Sequence, residues 1–316
     1  MHALLSIVGL SLLSGLAQAA PAAQLEGIDK RGSGGSGPKV GLAVADKNLQ
    51  DLKEIVDKDQ GSKVSWYYTW ELYESPMIRE ANPDAEFLPQ VGPHDLDLSN
   101  PAKPKLLSKA ADQLQNVKKS GSKRLLCFNE PNEKVENGGT GLSPDVVAKY
   151  YKHVIMPLQQ DEGWKISHPV VSSGPPGLAW LKQFRDACRR ENGGADCPTD
   201  FVSVHWYGPA AGLDGWTGQL HDFYGNKAEP KFWFTELGVP KAGQEGQGTP
   251  ADNAALLKQA DSSFSKANFV EAYAWFGATR PNKANAWTGA GVSLFGDDGK
   301  PNALGKMLML GPSKSG

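Results

Sequence analysis

The chain has 316 residues and nearly balanced charge, with 33 Lys and Arg against 35 Asp and Glu. It carries no basic stripe or polybasic run, which excludes nucleic acid and an anionic membrane surface as partners, because both need clustered cations. Nine Trp and eight Tyr point either to a large aromatic core or to flat platforms for a ligand.

At the start, Leu4 to Leu16 is apolar and Ala17-Gln18-Ala19 follows. A short apolar region ahead of an A-x-A cleavage signal predicts a secretory signal peptide over residues 1–19. The run is too short to span a bilayer. Lys30-Arg31 then precedes Gly32-Ser33-Gly34-Gly35-Ser36-Gly37, so residues 20–37 read as a pro-segment cut at a dibasic site and a flexible linker. The expected product is a secreted, extracellular or cell-wall protein formed by one folded domain over residues 38–316, acting as a monomer.

From Pro38 onward, strand-like runs alternate with helical stretches. Strands are expected at Val40 to Ala45, Lys63 to Trp70, Ala85 to Val91 and Arg124 to Asn129. Four more follow at Ser167 to Ser173, Phe201 to Tyr207, Lys231 to Leu237 and Val270 to Phe276. Helices are expected between them, at Leu49 to Asp57, Leu106 to Lys119, Val146 to Met156, Leu178 to Cys188, Gly215 to Tyr224 and about 249–267, with a last one at Asn302 to Leu310. Gly121 suits a left-handed helix stop, and Ser143-Pro144 suits an N-cap with proline at the first helical position. Eight strands alternating with helices predict an α/β fold, a (β/α)8 TIM barrel in one domain. The other candidate is an open doubly wound sheet. Against it, the first strand is followed by Ala45-Asp46-Lys47-Asn48, not by a Gly-rich phosphate loop.

Of the three cysteines, Cys188 and Cys197 flank a polar loop and are expected to form a disulfide. Cys127 lies inside a strand and reads as an inert core thiol. No Cys/His cluster has zinc spacing, so no metal and no cofactor are expected.

Chemistry concentrates at two strand ends. The run Arg124 to Asn129 stops at Glu130-Pro131, and Pro131 ends the strand because it cannot donate a ladder hydrogen bond. The seventh strand stops at Thr235-Glu236-Leu237-Gly238. In a closed barrel the carboxyl ends of strands four and seven meet across one rim. Two carboxylates facing across a groove suit glycoside hydrolysis: one protonates the leaving oxygen, and the other attacks the anomeric carbon or activates water.

The motifs Asn129-Glu130-Pro131-Asn132 and Thr235-Glu236-Leu237-Gly238, with His205-Trp206-Tyr207-Gly208 and Ala274-Trp275-Phe276, resemble the retaining (β/α)8 glycoside hydrolases. Residues 39–310 look more narrowly like glycoside hydrolase family 128, the fungal asl1-like domain. The resemblance implies that Glu130 is the acid/base and Glu236 the nucleophile. Asn129 would contact the sugar 2-hydroxyl, Tyr207 would orient Glu236, and Trp275 would be the platform under the reacting sugar. The implied substrate is β-1,3-glucan, a fungal cell-wall polymer. Many relatives carry Tyr-Asn-Trp where this chain has Tyr68-Thr69-Trp70.

Tyr68, Trp70 and His205 join the expected substrate-binding set. Glu71, Asp95 and Glu133 are expected to be solvated loop charges, and Trp287 to shape the groove. Counting alternately from Glu236 and Tyr207 turns Trp206, Trp233 and Thr235 toward the helices. The sequence leaves endo and exo action open. It also leaves an alternative, a barrel that binds β-1,3-glucan oligosaccharides with little or no turnover.

Overall fold

The computed structural model describes residues 37–241 and 248–312. The expected signal peptide, the dibasic site and most of the linker lie outside them. Among the described residues, no helix is long and apolar enough to cross a membrane.

The main sheet is parallel throughout. Its strands are β1 (Lys39–Ala43), β2 (Val64–Tyr68), β3 (Glu86–Phe87), β4 (Gln90–Val91) and β7 (Arg124–Asn129), then β8 (Lys165–Val170), β9 (Phe201–Tyr207), β10 (Lys231–Gly238) and β11 (Val270–Phe276). Their spatial order is β3-β2-β1-β11-β10-β9-β8-β7-β4. The two edges of this sheet, β3 and β4, are separated by only Leu88 and Pro89. Leu88 donates its N–H to Tyr67 on one side, and the Pro89 carbonyl accepts from Leu126 on the other. One proline-interrupted stave therefore pairs with both its neighbours, and the ring closes as a (β/α)8 barrel. The break falls at Pro89 because that residue has no N–H to give the ladder.

The Asp- and Pro-rich loop after this stave contains a small antiparallel hairpin, β5 (Leu96–Asp97) with β6 (Lys105–Leu106). The hairpin takes Leu106 away from the predicted helix, so α3 runs Ser108–Lys119, after the short α1 (Leu52–Val56) and α2 (Pro76–Ala81). The helix predicted around Val146 is α4 (Pro144–Tyr150), a π turn (Tyr151–Ile155) and α5 (Met156–Gln160). Pro157 near the start of α5 lacks the amide an unbroken helix needs, and a π turn upstream absorbs the mismatch. The remaining helices are α6 (Pro175–Glu191), α7 (Ala210–Phe223), α8 (Pro250–Lys266) and α9 (Ala303–Leu310). Thr249 and Asp252 form a reciprocal capping box on α8.

Cys188, near the end of α6, is bonded to Cys197 in the segment leading to β9. Both are buried, and Cys127 is a buried free thiol. Burial pushes its pKa far above the ordinary thiol range, which keeps it protonated.

Two apolar layers follow from strand alternation. The larger lies between sheet and helices. The smaller fills the barrel and includes Trp66, Tyr68, Phe201 and Trp233, with Trp70 and Phe276 packed against it. Trp233 and Thr235 thus face inward, contrary to the alternating count. Trp233 packs edge-on to Trp66 at 4.9 Å, and the Thr235 hydroxyl meets Ser203 at 3.0 Å. The reason is an irregularity between Phe234 and Glu236, where the pairing with β9 slips by a residue. Such a bulge puts two successive residues on the same side and defeats a simple parity count. Trp206 does face outward, packing against Gly212 of α7.

Candidate active site

Glu130 sits immediately beyond β7, and its backbone is left-handed (φ 36°), as is Phe128 (φ 47°) two residues earlier. Non-glycine residues in this region cost of order 1–3 kcal/mol each and persist only where the surroundings hold them. Here the turns send Phe128 outward to pack on Tyr150 at 6.0 Å and leave Glu130 among the residues of the barrel mouth. The Glu130 carbonyl accepts from the amides of Glu133 (2.9 Å) and Thr140 (3.3 Å), which fastens the following loop under it. Trp70, just past β2, is also left-handed (φ 58°) and reaches the same mouth.

Glu236 is buried and held by three donors. Tyr68 donates its hydroxyl to Oε1 at 2.6 Å, the Trp70 indole N–H donates to Oε1 at 2.9 Å, and Tyr207 donates to Oε2 at 2.5 Å. His205, fully buried on β9, lies between the two acids. Its Nδ1 is 2.7 Å from Glu130 Oε1 and its Nε2 is 3.2 Å from Glu236 Oε1. The Nε2 contact is an ion-pair distance without hydrogen-bond alignment. The Trp216 indole on α7 donates to the His205 carbonyl at 3.0 Å and fixes that stave from behind. One side-chain donor atom from each of Glu130, His205 and Glu236 lies within 4.8 Å of the others. These donors have the chemistry of a cation site, but His205 turns one nitrogen to each carboxylate and stands between them as a charge bridge.

The electrostatics follow from burying two acids and a base together. Burial pushes the Glu236 carboxyl above its ordinary range. His205 pulls it down, Glu130 adds to the rise, and the hydrogen bonds from Tyr207 and Tyr68 oppose it. For His205, burial disfavours the charged ring, yet Glu236 and Glu130 together outweigh it and raise the pKa above the ordinary histidine value. Tyr207 and Tyr68 are raised well above the ordinary tyrosine value, by burial first and then by Glu236, so both stay protonated as donors.

The structure thus brings together Glu130, Glu236, His205, Tyr207, Tyr68 and Trp70 from the predicted set. Their roles differ in detail. Tyr68 and His205 are buried and touch carboxylates, so they position the acids rather than line an open groove. Asn129 gives its side-chain N–H to the Gly138 carbonyl at 3.2 Å, while its Oδ1 is buried without a hydrogen-bond partner.

Trp275 is a correction. It is fully buried on the helix side of β11, and its indole donates to the Val292 carbonyl at 2.9 Å. Ala272 and Ala274 face the barrel interior, so Trp275 between Ala274 and Phe276 must face away. Phe276 is the aromatic that β11 offers to the mouth, 5.9 Å from Trp70 and 5.7 Å from Tyr207. The sequence reading missed it, although the two alanines at i−2 and i−4 carried the parity.

Among the loop charges, Glu71 pairs with Lys47, Asp95 accepts from the Gly92 amide, and Glu133 accepts from Ser172 at 2.7 Å. All three are engaged in holding loops. Trp287 reaches the rim and packs edge-on to Tyr207 at 4.7 Å.

The profile of the family described as "Glycosyl hydrolase catalytic core" matches residues 41–308. The chain belongs to this family. Alkali-sensitive linkage protein 1 of Schizosaccharomyces pombe (strain 972 / ATCC 24843) is 24% identical over 249 residues, 78% of this chain and 40% of that protein. The chain therefore spans less than half the length of that curated relative.

Solved structures with the same fold include a glycoside hydrolase family 128 (subgroup VI) exo-β-1,3-glucanase from Aureobasidium namibiae. It has a TM-score of 0.64 at 20% identity, covering 86% of this chain and 96% of that one. A curdlan-specific exo-β-1,3-glucanase (subgroup III) from Blastomyces gilchristii, in complex with glucose, has a TM-score of 0.62 at 23% identity, with coverage of 86% and 97%. An endo-β-1,3-glucanase (subgroup I) from Amycolatopsis mediterranei, in complex with laminaritriose, has a TM-score of 0.61 at 23% identity, with coverage of 86% and 98%. The glycosyl hydrolase catalytic core here therefore sits on the barrel that these enzymes share.

Proposed function

We propose that this protein is a secreted, retaining glycoside hydrolase that cleaves β-1,3-glucan by double displacement. The observation that carries the reading is the spacing of Glu130 and Glu236, with one side-chain oxygen of each within 4.8 Å of the other. Retaining pairs lie about 5–5.5 Å apart, whereas inverting pairs stand about 6.5–9.5 Å apart to admit a water. The substrate class rests on the family and on the β-1,3-glucanases that share the fold. Secretion rests on the leader-like residues 1–19.

The residues divide the work as follows. Glu130 protonates the glycosidic oxygen as the bond to C1 breaks, while Glu236 attacks C1 and forms a glycosyl ester. Water then gives a proton to Glu130 and attacks C1, releasing Glu236 and restoring the original configuration. Tyr207, Tyr68 and Trp70 fix the Glu236 carboxylate so that its reactive lone pair needs no reorganisation at attack. The His205 imidazolium supports whichever carboxylate is charged at each stage. The buried, unpartnered Oδ1 of Asn129 is an acceptor suited to a sugar hydroxyl.

The test is release of reducing ends from laminarin, with xylan and mannan in parallel, and the anomeric configuration of the first product by proton NMR. The expected result is β-anomer released from laminarin. Inverted product removes the double displacement. Tight laminarin binding without any release would replace the enzyme by a binding protein.

A further inference from the structure

We infer that Trp287 is a sugar platform adjoining the reacting centre, holding the glucosyl unit next to the one bonded at Glu236. The inference rests on the glucanase reading above and adds a binding residue to it.

Trp287 is set apart from the other eight tryptophans, all of which are buried or half-buried, because 47% of it is exposed. Isolated exposed apolar groups are ordinary, but this one sits on a tightly anchored turn beside the catalytic residues. The Asn285 side chain accepts from the Thr288 amide (2.8 Å) and the Thr288 hydroxyl (2.9 Å), and the Asn285 carbonyl accepts from Gly289. Thr288 is itself wholly buried, and its carbonyl accepts from the Lys241 amide. The turn is thus fixed on the body of the barrel while the neighbouring indole is left in solvent.

The exposed ring is also continuous with the active site. It packs edge-on against Tyr207 at 4.7 Å, and the Tyr207 hydroxyl bonds Glu236. Phe276 and Trp70 extend this aromatic wall on the other side of Tyr207. Trp287 stands one ring further from the nucleophile than Tyr207, so it serves the neighbouring sugar rather than the reacting one. A rigid, flat apolar face with a polar N–H edge suits the C–H face of glucose, and it recognises a neutral sugar rather than an ion.

The test uses laminaripentaose with the full-length secreted protein carrying Glu236→Gln, so that binding is read without turnover. Binding is followed by titration calorimetry and by acrylamide quenching of tryptophan fluorescence. In this background laminaripentaose is expected to shield an accessible tryptophan from acrylamide. Adding Trp287→Ala is expected to weaken binding about tenfold or more and abolish the shielding, as loss of an aromatic anchor does. Trp287→Tyr keeps a flat ring and should recover most of the affinity. Unchanged melting temperatures establish that the variants are folded. If pentaose binds and its affinity and shielding are the same with alanine at 287, Trp287 is not a platform and the inference is overturned. If the unsubstituted enzyme releases nothing from laminarin and the Glu236→Gln protein does not bind pentaose, the glucanase reading fails and takes the inference with it.

Discussion

The His205 imidazole bridges the two acids, with Nδ1 2.7 Å from Glu130 Oε1 and Nε2 3.2 Å from Glu236 Oε1. A fully buried base normally loses its charge, yet here Glu236 and Glu130 outweigh burial and raise the ring's pKa above the ordinary histidine value. His205→Asn should remove that cation, leaving burial and Glu130 to raise Glu236 further. The acid limb of the pH–rate profile for kcat/KM should then move to higher pH, and the rate at the optimum should fall about 10-fold or more. Profiles of wild type and variant on laminari-oligosaccharides test this, and superimposable limbs would remove His205 from the proton inventory.

Tyr207 and Tyr68 oppose the effect of burial on Glu236 by donating to opposite oxygens of its carboxylate. Each charge-assisted bond favours the ionised form. Tyr207→Phe and Tyr68→Phe should therefore each shift the acid limb upward and lower kcat by about 10- to 100-fold, with KM changing less. The double variant should lose less than the product of the single losses, because both bonds act on one carboxylate. A Tyr207→Phe protein with an unaltered acid limb would mean that this contact does not tune Glu236.

How much of this could be read beforehand differs between residues. The two acids were legible because each ends an apolar, strand-length run at a turn, and barrel topology then brings the fourth and seventh staves together. Trp275 was misplaced because a tryptophan beside a phenylalanine draws attention by size, while the parity was set by Ala272 and Ala274. Trp233 and Thr235 were misplaced by the slip between Phe234 and Glu236, which no single-residue propensity encodes. The division of stave three around Pro89 was implicit in the proline. The hairpin that follows it, two residues per strand, is too short to leave a periodic signal.

The two carboxylates should separate by leaving group. Glu130→Gln and Glu236→Gln should each lose about 10³-fold or more on laminarin. On a dinitrophenyl β-laminaribioside, whose leaving group needs no proton, Glu130→Gln should regain much of the first step and show a burst of phenolate. Glu236→Gln should stay inactive because it lacks the attacking oxygen. Equal recovery of both variants would contradict the assigned roles.

Trp275 and Phe276 should divide stability from activity. Trp275→Phe deletes a buried indole and its bond to the Val292 carbonyl. It should destabilise the protein by about 1–3 kcal/mol while leaving the activity of the folded fraction close to wild type. Phe276→Ala opens the aromatic wall between Trp70 and Tyr207 and should lower kcat/KM per folded molecule with a smaller loss in melting temperature. Thermal unfolding and initial rates on the same preparations compare them. A Trp275→Phe enzyme that is stable but inactive would return Trp275 to the site.

Glu236 also links activity to stability. Its folded pKa lies above the unfolded value, with burial the largest cause. The native state therefore binds this proton more tightly than the unfolded state does. The stabilisation this gives is fully present below the unfolded carboxylate pKa of about 4.3 and is lost as pH rises through the folded pKa. His205, also raised, contributes with the same sign over its own higher range. Glu236→Gln cannot ionise, so it should unfold at a higher temperature than wild type near pH 7, and the gain should shrink toward pH 4. Thermal melts of the two proteins across that range decide the point. A gain that grows on acidification would mean that the native state favours the Glu236 carboxylate over the acid.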